Sequence, residues 1–193
     1  INGTLAVNGA GETFLNTLNQ GVISGRISAA GKTLVKTGAS VLYLTNGDTG
    51  AGANDVGAWK LMAGTTEVRL SNGASNPLGA SAPITLNGAT LNIRHDGDNT
   101  SVMQVLTTFQ NNNLTIGSTA GIGSGSYIGS GAVAIDARTL NGGNNKTIKL
   151  GNLAFGGPLG SPVLTLNSAN SYSFEFNNLT FVKDAEFVPN ATT

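Results

Sequence analysis

The chain has 193 residues, 39% of them apolar, which is enough for one substantial core. Only 10% are charged, ten acidic and ten basic, so the balance favours neither a nucleic-acid partner nor an acidic tail. The absence of Cys excludes disulfides and thiolate metal sites, and no apolar run reaches the ~20 residues of a membrane span. Polarity comes from Asn, Thr and Ser with 28 Gly, a neutral surface suited to backbone pairing and to contact with sugars or other copies.

The chain begins at Ile1 without a Met or a signal-peptide pattern, which indicates a processed product or an excised piece. Short apolar segments in 1–7, 13–18 and 21–27 then alternate with Gly and Asn corners. No segment sustains the 3.6-residue periodicity of a helix. The sequence therefore predicts many short strands and little helix.

The clearest unit lies within Gly31–Gly47, where two apolar segments flank a corner at Gly38. In the second segment, Val41–Leu44, the two Leu are predicted on one face and Val41 and Tyr43 on the other. The Asn-Gly dipeptide that ends the unit is typical of a turn that tolerates positive φ.

Beyond this unit, strands are predicted wherever apolar and polar residues alternate. The best example is Thr65–Leu70, with one face formed by Thr66, Val68 and Leu70 and the other by Glu67 and Arg69. Val102–Phe109 fits either a strand or a short helix. Gly-rich and Pro-containing loops are predicted at 48–57, 71–82 and 117–131.

Two all-β architectures fit such short strands. A sandwich requires hairpins and longer alternating strands, whereas a solenoid requires short strands and corners that recur with a period of about 20 residues or more. The solenoid is favoured because Leu42–Asn46, Ile84–Asn87 and Leu164–Asn167 repeat one another. We expect them to form the same corner in different coils, with their Asn side chains stacked in an amide ladder at ~4.8 Å.

The segment Gly31–Thr45 reads Gly-Lys-Thr-Leu-Val-Lys-Thr-Gly-Ala-Ser-Val-Leu-Tyr-Leu-Thr. It resembles the passenger-associated repeat of bacterial autotransporters, whose usual form is close to Gly-x-Leu-x-Lys-x-Gly-x-Gly-x-Leu-x-Leu-x-Gly, with Ser40 where Gly is usual. Asn76–Gly79 followed by Ile84–Leu91 is similar to the next rung. Two later segments resemble the autotransporter-associated β-strand repeats of very large surface proteins: Asn145–Leu153 and Leu164–Phe187.

The resemblance implies an all-β, right-handed parallel β-helix of roughly eight or nine coils, at about 20–25 residues per coil. Residues 1–193 would form a single solenoid segment of a larger or end-to-end stacked assembly. The resemblance also implies a passenger that is secreted or held at the bacterial cell surface. Its expected partners are adjoining passenger segments or copies of itself, without insertion in a membrane.

The densest polar cluster in the sequence is His95–Asn99. The oxygens of Asp96 and Asp98 would suit Ca²⁺, but the Asp-x-Asp-x-Asp spacing and a terminal bidentate Glu are missing. A solvated corner is the preferred interpretation. No metal or other cofactor is predicted.

Catalytic motifs are weak throughout. Asp136, Glu175 and the acidic pair at Asp184 and Glu186 could cleave a glycoside only if two carboxylates converge. The single His95 lies in a polar loop without a nucleophile elbow. The glycines of Gly121–Gly125 lack the Lys-Ser/Thr and the helix of a phosphate loop. The sequence therefore predicts no catalytic residue and no enzyme activity.

Three functions remain, in decreasing order of preference. The first is a structural fibre, stalk or spacer, because Ile1–Val7 and Phe187–Thr193 read as rungs without caps. The second is an adhesin that binds glycans or host surfaces through a wall or the long loops. Four aromatic residues could stack on sugars, although isolated aromatics more often lie in a core: Tyr43, Trp59, Tyr127 and Tyr172. The third is a polysaccharide-degrading β-helix enzyme.

Overall fold

The computed structural model describes residues 1–46, 53–71, 73–117, 132–156, 162–181 and 185–191. Gly121–Gly125, Tyr127 and Asp184 lie outside the described residues. The described residues form strands and no helical element. In chain order the strands are β1 (Leu5–Ala6), β2 (Glu12–Asn16), β3 (Gly21–Ile23), β4 (Ile27–Thr37), β5 (Val41–Leu44), β6 (Asp55–Leu61), β7 (Gly64–Leu70), β8 (Ile84–Leu86), β9 (Ala89–His95), β10 (Gln104–Phe109), β11 (Leu114–Ile116), β12 (Ala132–Arg138), β13 (Lys146–Leu150), β14 (Leu153–Phe155), β15 (Val163–Ser168), β16 (Ser173–Phe176), β17 (Leu179–Phe181) and β18 (Glu186–Ala191).

The strands stack into three parallel sheets. Sheet A has eight strands, in the order β1-β4-β6-β8-β11-β14-β17 with β2 also paired to β4. Sheet B has seven strands, in the order β3-β5-β7-β9-β12-β15-β18. Sheet C has three strands, β10-β13-β16. Each strand thus pairs with the strand one coil away rather than with its neighbour in sequence.

This arrangement confirms the predicted all-β parallel β-helix. One passage through the sheets is numbered here as a coil: coil 1 (β1–β3), coil 2 (β4–β5), coil 3 (β6–β7), coil 4 (β8–β10), coil 5 (β11–β13), coil 6 (β14–β16) and coil 7 (β17–β18). The seven strands of sheet B give seven coils in the described residues, so the predicted eight or nine coils are not confirmed. The right-handed winding stays a prediction.

The core is a stack of inward columns, one residue per coil. In sheet A one such column contains Leu61, Leu86, Ile116, Phe155 and Phe181 in register. The first four of these side chains are fully buried. Each buried side chain of this size stabilises the fold by roughly 1.5–3 kcal/mol, which is why the alternation of apolar residues specifies which face of each strand turns inward.

The predicted unit around Gly38 forms as expected, with β4 and β5 on either side of the corner and both Leu of β5 buried. Inside this corner lies Lys36, which is fully buried. Its Nζ donates hydrogen bonds to the carbonyl oxygens of Gly38 (2.7 Å), Ser40 (2.6 Å) and Ala63 (2.7 Å). Burial lowers the pKa of the Lys36 ammonium to about 8. Lys36 therefore ties the corner of coil 2 to that of coil 3.

The last strand of sheet A has an open edge. Leu179 and Phe181 pair in register with the fully buried Leu153 and Phe155, yet they are 49% and 52% exposed. The rings of Phe155 and Phe181 stack with centroids 5.0 Å apart. In the described residues β17 has no strand on its other side, so the inward columns of sheet A end in exposed apolar side chains.

The strands differ from the sequence predictions in three places. Residues 55–57, predicted as loop, belong to β6 because Asp55 pairs with Ser28 of β4. The ambiguous segment 102–109 is a strand from residue 104 onward. The predicted shared Asn corner is wrong, since the strand before Asn87 lies in sheet A, whereas the segments that lead to Asn46 and Asn167 lie in sheet B.

Asn side chains do stack, but at a different corner. Before β11, β14 and β17 lie Asn113, Asn152 and Asn178, one per coil. Asn113 Oδ1 accepts the backbone N–H of Asn152 (2.9 Å), and Asn178 Nδ2 donates to Asn152 Oδ1 (2.8 Å). The ladder thus precedes the strands of sheet A rather than following those of sheet B.

Candidate functional site: a polar corner and a charged face

The predicted polar cluster, His95–Asn99, follows β9 and is called the polar corner below. His95 and Asp96 are only 3% and 6% exposed, so the preferred interpretation of a solvated corner is wrong for its first half. The reason is that the chain continues from here into β10, and the corners of coils 5 and 6 pack over it.

Asp96 binds the corner of coil 5. Its Oδ1 accepts the backbone N–H groups of residues 140–142 at 2.8, 2.6 and 3.3 Å and the hydroxyl of Thr139 at 3.1 Å. Its Oδ2 accepts Asn141 Nδ2 at 3.1 Å. Burial alone would raise the pKa of Asp96, but hydrogen bonds from Asn141, Gly142 and Leu140 outweigh it and lower the pKa. Both oxygens are thus occupied by donors of the protein itself.

Asp98 binds the start of β13. Its carboxylate accepts a hydrogen bond from Nζ of Lys146, a fully buried side chain that also donates to the carbonyl of Val102 (2.7 Å). Hydrogen bonds from Lys146 and Thr100 lower the pKa of Asp98 to about 2. The described residues contain no group of three or more His, Cys, Asp or Glu side chains that could hold a metal ion. The two carboxylates of the calcium hypothesis instead serve separate protein donors.

His95 holds the corner through both ring nitrogens. Nδ1 accepts the backbone N–H of Gly97 (3.0 Å), so the ring proton resides on Nε2, which donates to Thr108 Oγ1 (3.3 Å). The carbonyl of His95 accepts the hydroxyl of Tyr172 from coil 6. Burial lowers the pKa of His95 to about 4, against the attraction of Asp96, and burial raises the pKa of Tyr172 to about 12.

Of the carboxylates considered for glycoside cleavage, the three that the structure describes do not converge. Asp136 lies on β12 of sheet B, whereas Glu175 lies on β16 of sheet C and pairs with Lys149 (2.5 Å). Glu186 is in sheet B but pairs with Val163 at the opposite end of the strands from Asp136. Asp136, Glu175 and Glu186 therefore form no acid–base pair with one another across a substrate site.

A charged row that the sequence analysis missed lies on the outward face of sheet B. It consists of three Arg and two acidic side chains from β7, β9 and β12, and we call it the charged face: Glu67, Arg69, Arg94, Asp136 and Arg138. Arg94 Nε lies 3.5 Å from Glu67 Oε2, and its Nη1 lies 3.5 Å from Asp136 Oδ1. Arg94 is thus the link between the two carboxylates.

Another Arg lies at each end of the charged face. Arg69 Nε donates to Glu67 (2.7 Å), and its guanidinium lies 4.4 Å from the centroid of the Tyr43 ring. Arg138 Nη2 donates to Asp136 (2.5 Å). The side chains of Arg69 and Arg138 are 36% and 46% exposed, so both can meet a ligand.

A signal for this face is present in the sequence. Its three strands repeat one pattern, an acidic or amide residue, an apolar residue and then Arg: Glu67-Val68-Arg69, Asn92-Ile93-Arg94 and Asp136-Ala137-Arg138. Recognising the pattern as one row requires knowing which strands are neighbours, and the spacing between the second and third copies is longer than between the first two.

Of the predicted sugar-stacking aromatics, only one that the structure describes contributes to an outer face. Trp59 is fully buried and donates Nε1–H to the Leu78 carbonyl (2.9 Å). Tyr172 is buried under the polar corner. Tyr43 lies on the outward face of sheet B beneath Arg69.

Comparison of the chain with protein-family models, with curated proteins and with solved structures finds no significant match. Among the described residues there is no helix long and apolar enough to cross a membrane.

Proposed function

We propose that this chain is a structural β-solenoid segment that extends a fibre, stalk or spacer at a bacterial cell surface or in the extracellular medium. The observation that carries the proposal is the open edge at β17, where Leu179 and Phe181 are half-exposed above fully buried partners. An unpaired strand edge with apolar side chains favours the addition of a further rung. That rung would come from an adjoining passenger segment or from a second copy.

The proposed mechanism is mechanical rather than chemical. Parallel pairing continues from coil to coil, and seven coils at ~4.8 Å give a rod of about 30 Å. The buried Lys36 and the polar corner tie neighbouring coils together by hydrogen bonds. Such hydrogen bonds between coils suit a long, stiff structural element. The separation of Asp136, Glu175 and Glu186 supports a role without catalytic turnover.

The bacterial, secreted setting belongs to the same proposal. It is supported by the resemblance of Gly31–Thr45 to the autotransporter passenger repeat, which here forms a corner between two stacked sheets. The low charge and the Asn-, Thr- and Ser-rich composition of the chain also suit an exposed rod.

Concentration-dependent assembly tests the proposal. The purified chain, studied by sedimentation and negative-stain electron microscopy, is expected to form rods longer than one copy as its concentration rises. Phe181→Asp should suppress this growth, because a carboxylate would end the apolar column. Thr180→Asp is the matched control, since Thr180 is the intervening residue of the same strand, on the other face.

Two results would contradict stacking through this edge. One is a monomer at all concentrations, with Phe181→Asp indistinguishable from the unmodified chain. The other is equal loss of assembly in Phe181→Asp and Thr180→Asp.

A second function, glycan binding, is favoured by the charged face. Three Arg outnumber two carboxylates there, and the exposed guanidinium groups of Arg69 and Arg138 suit acidic sugars. On an array of acidic and neutral glycans, Arg69→Gln with Arg138→Gln should weaken binding to the acidic members. Lys149→Gln, which alters a cation on sheet C, is the control. Equal binding by all variants, or no binding by the intact chain, would reject this function.

A further inference from the structure

The polar corner joins three coils through a small set of contacts. Asp96 holds the backbone of residues 140–142 in coil 5, and Asp98 holds Lys146 at the start of β13. The hydroxyl of Tyr172 in coil 6 donates to the carbonyl of His95. The corner of coil 4 is thus the point at which coils 4, 5 and 6 are tied beside sheet C.

His95 fixes the shape of this corner only as a neutral ring. The Gly97 N–H points at Nδ1 from 3.0 Å, so Nδ1 must keep its lone pair to accept it. A proton on Nδ1 would place two N–H groups against each other and would break the hydrogen bond. The ring is also buried, at 3% exposure, so the new charge would be poorly solvated.

The groups around the ring do not offset this cost. Asp96 is the nearest negative charge, but its oxygens are directed at residues 139–142, and Asp98 is paired with the cation Lys146. Tyr172 is uncharged near neutral pH, with its pKa raised to about 12. The remaining partners, Thr108 of β10 and Leu70 of β7, are neutral.

We propose that the polar corner is an acid-sensitive clasp, in which protonation of His95 breaks its bond to Gly97 and releases the corners of coils 5 and 6 from the corner of coil 4, while coils 2 and 3 keep their structure. Coils 2 and 3 are held by Lys36 and contain no His. The clasp lies at the coil where sheet C begins, so its opening frees β10, β13 and β16 first.

The direction of the pH effect follows from linkage. The pKa of His95 is about 4 in the closed corner, below its ordinary value of 6.5. The neutral His95 ring therefore contributes fully to the stability of the corner above pH ~6.5, and this contribution is lost as the pH falls toward 4. Asp96 and Asp98, whose pKa values are lowered, keep their charges through most of this range and lose them only at lower pH.

Hydrogen exchange followed by mass spectrometry tests the clasp. Between pH 7.5 and pH 5, protection of residues 96–110 and 139–150, corrected for intrinsic exchange, should fall by about 30-fold, the linkage factor for these two pKa values. Residues 55–70 of coil 3 serve as the internal reference and should change little. In His95→Asn the side-chain oxygen can accept the Gly97 N–H but cannot titrate, so this variant should show no such fall.

Three outcomes would overturn the proposal. These are unchanged protection at pH 5 in the unmodified chain, an equal fall in His95→Asn, and a fall of equal size in residues 55–70. Because the chain has a single His, NMR titration of its imidazole gives a test that needs no variant. A pKa clearly below 6.5 supports the clasp, and a pKa at or above 6.5 rejects it even if His95→Asn does not fold.

Discussion

Lys36 is a buried cation whose hydrogen bonds go to backbone carbonyls. Strand alternation places it on the same face as Leu34, in register with Leu61 of the next coil. The inward direction of Lys36 is not among the sequence predictions, and the sequence does not show the acceptors, because the third carbonyl belongs to Ala63 in another coil. A residue that looks like an interruption of the apolar pattern is a tie between two corners.

Replacing Lys36 with Met should lower the free energy of unfolding by about 3 kcal/mol, since buried carbonyl oxygens would lose their donor. Urea denaturation measures the change. The matched control is Lys60→Met on the outward face of sheet A, where the side chain is 45% exposed and its ammonium pairs with Glu12. That control should cost less than about 1 kcal/mol. Equal losses in both variants would show that the carbonyl contacts contribute nothing specific.

Gly64 is the second residue that this corner depends on. Its φ is +62°, and a Cβ there would lie 2.6 Å from the Gly38 carbonyl oxygen and from Lys36 Nζ. The positive φ is a common property of glycine corners and is foreseeable from sequence. The close approach of the coil below is not, because it depends on how the two corners stack.

Two glycine substitutions separate these effects. Gly64→Ala combines backbone strain with a steric clash, and we expect it to cost about 3 kcal/mol or more. Gly31→Ala has a similar φ of +66° but open space around the new Cβ, so strain of about 1 kcal/mol is expected. Thermal or urea unfolding compares them, and equal costs would mean that the corners do not touch as described.

At the scale of elements, the alternation of apolar and polar residues identifies strands well, but it does not show which strands pair with one another. The inward and outward residues of β5 and β7 are those predicted from sequence. The segments Leu42–Asn46, Ile84–Asn87 and Leu164–Asn167 led to the wrong prediction of one shared corner. Strands of sheet A and strands of sheet B need the same alternation of apolar and polar residues, so the two cannot be told apart by this pattern. Which sheet a strand joins depends on the length of the intervening corners, and local pattern does not encode that.

The charged face also could not be recognised from sequence without knowing which strands are neighbours. It therefore provides a test of strand order. Arg94 lies between carboxylates of the coils on either side, so Arg94→Gln should lower stability by about 1–2 kcal/mol at low salt. The loss should shrink at high salt, as ion pairs are screened. Arg26→Gln, at an exposed position, is the control and should cost under about 0.5 kcal/mol. If the loss of stability in Arg94→Gln is the same at low and high salt, Arg94 stabilises the fold by packing rather than by its ion pairs.

For the molecule as a whole, the sequence predicts the parallel solenoid but not its change of cross-section. Coils 2 and 3 have strands in sheets A and B in the described residues, whereas coils 4, 5 and 6 add a strand in sheet C. The polar corner stands where this third sheet begins. Its residues looked like a surface loop because polar composition does not reveal that later coils will cover them.

The open edge at β17 has one more consequence. Within each sheet of the described residues the strands pair in parallel. If copies stack by continuing this parallel pairing, as proposed above, the last rung of one copy meets the first rung of the next, and this head-to-tail contact cannot close on itself as a two-fold dimer. A filament built in this way would be directional. A Phe181→Asp molecule keeps its first rung, so it can join a growing end once and then block it. Small amounts mixed with the unmodified chain should therefore shorten filaments as a chain terminator does, and unchanged lengths in electron micrographs would contradict directional growth.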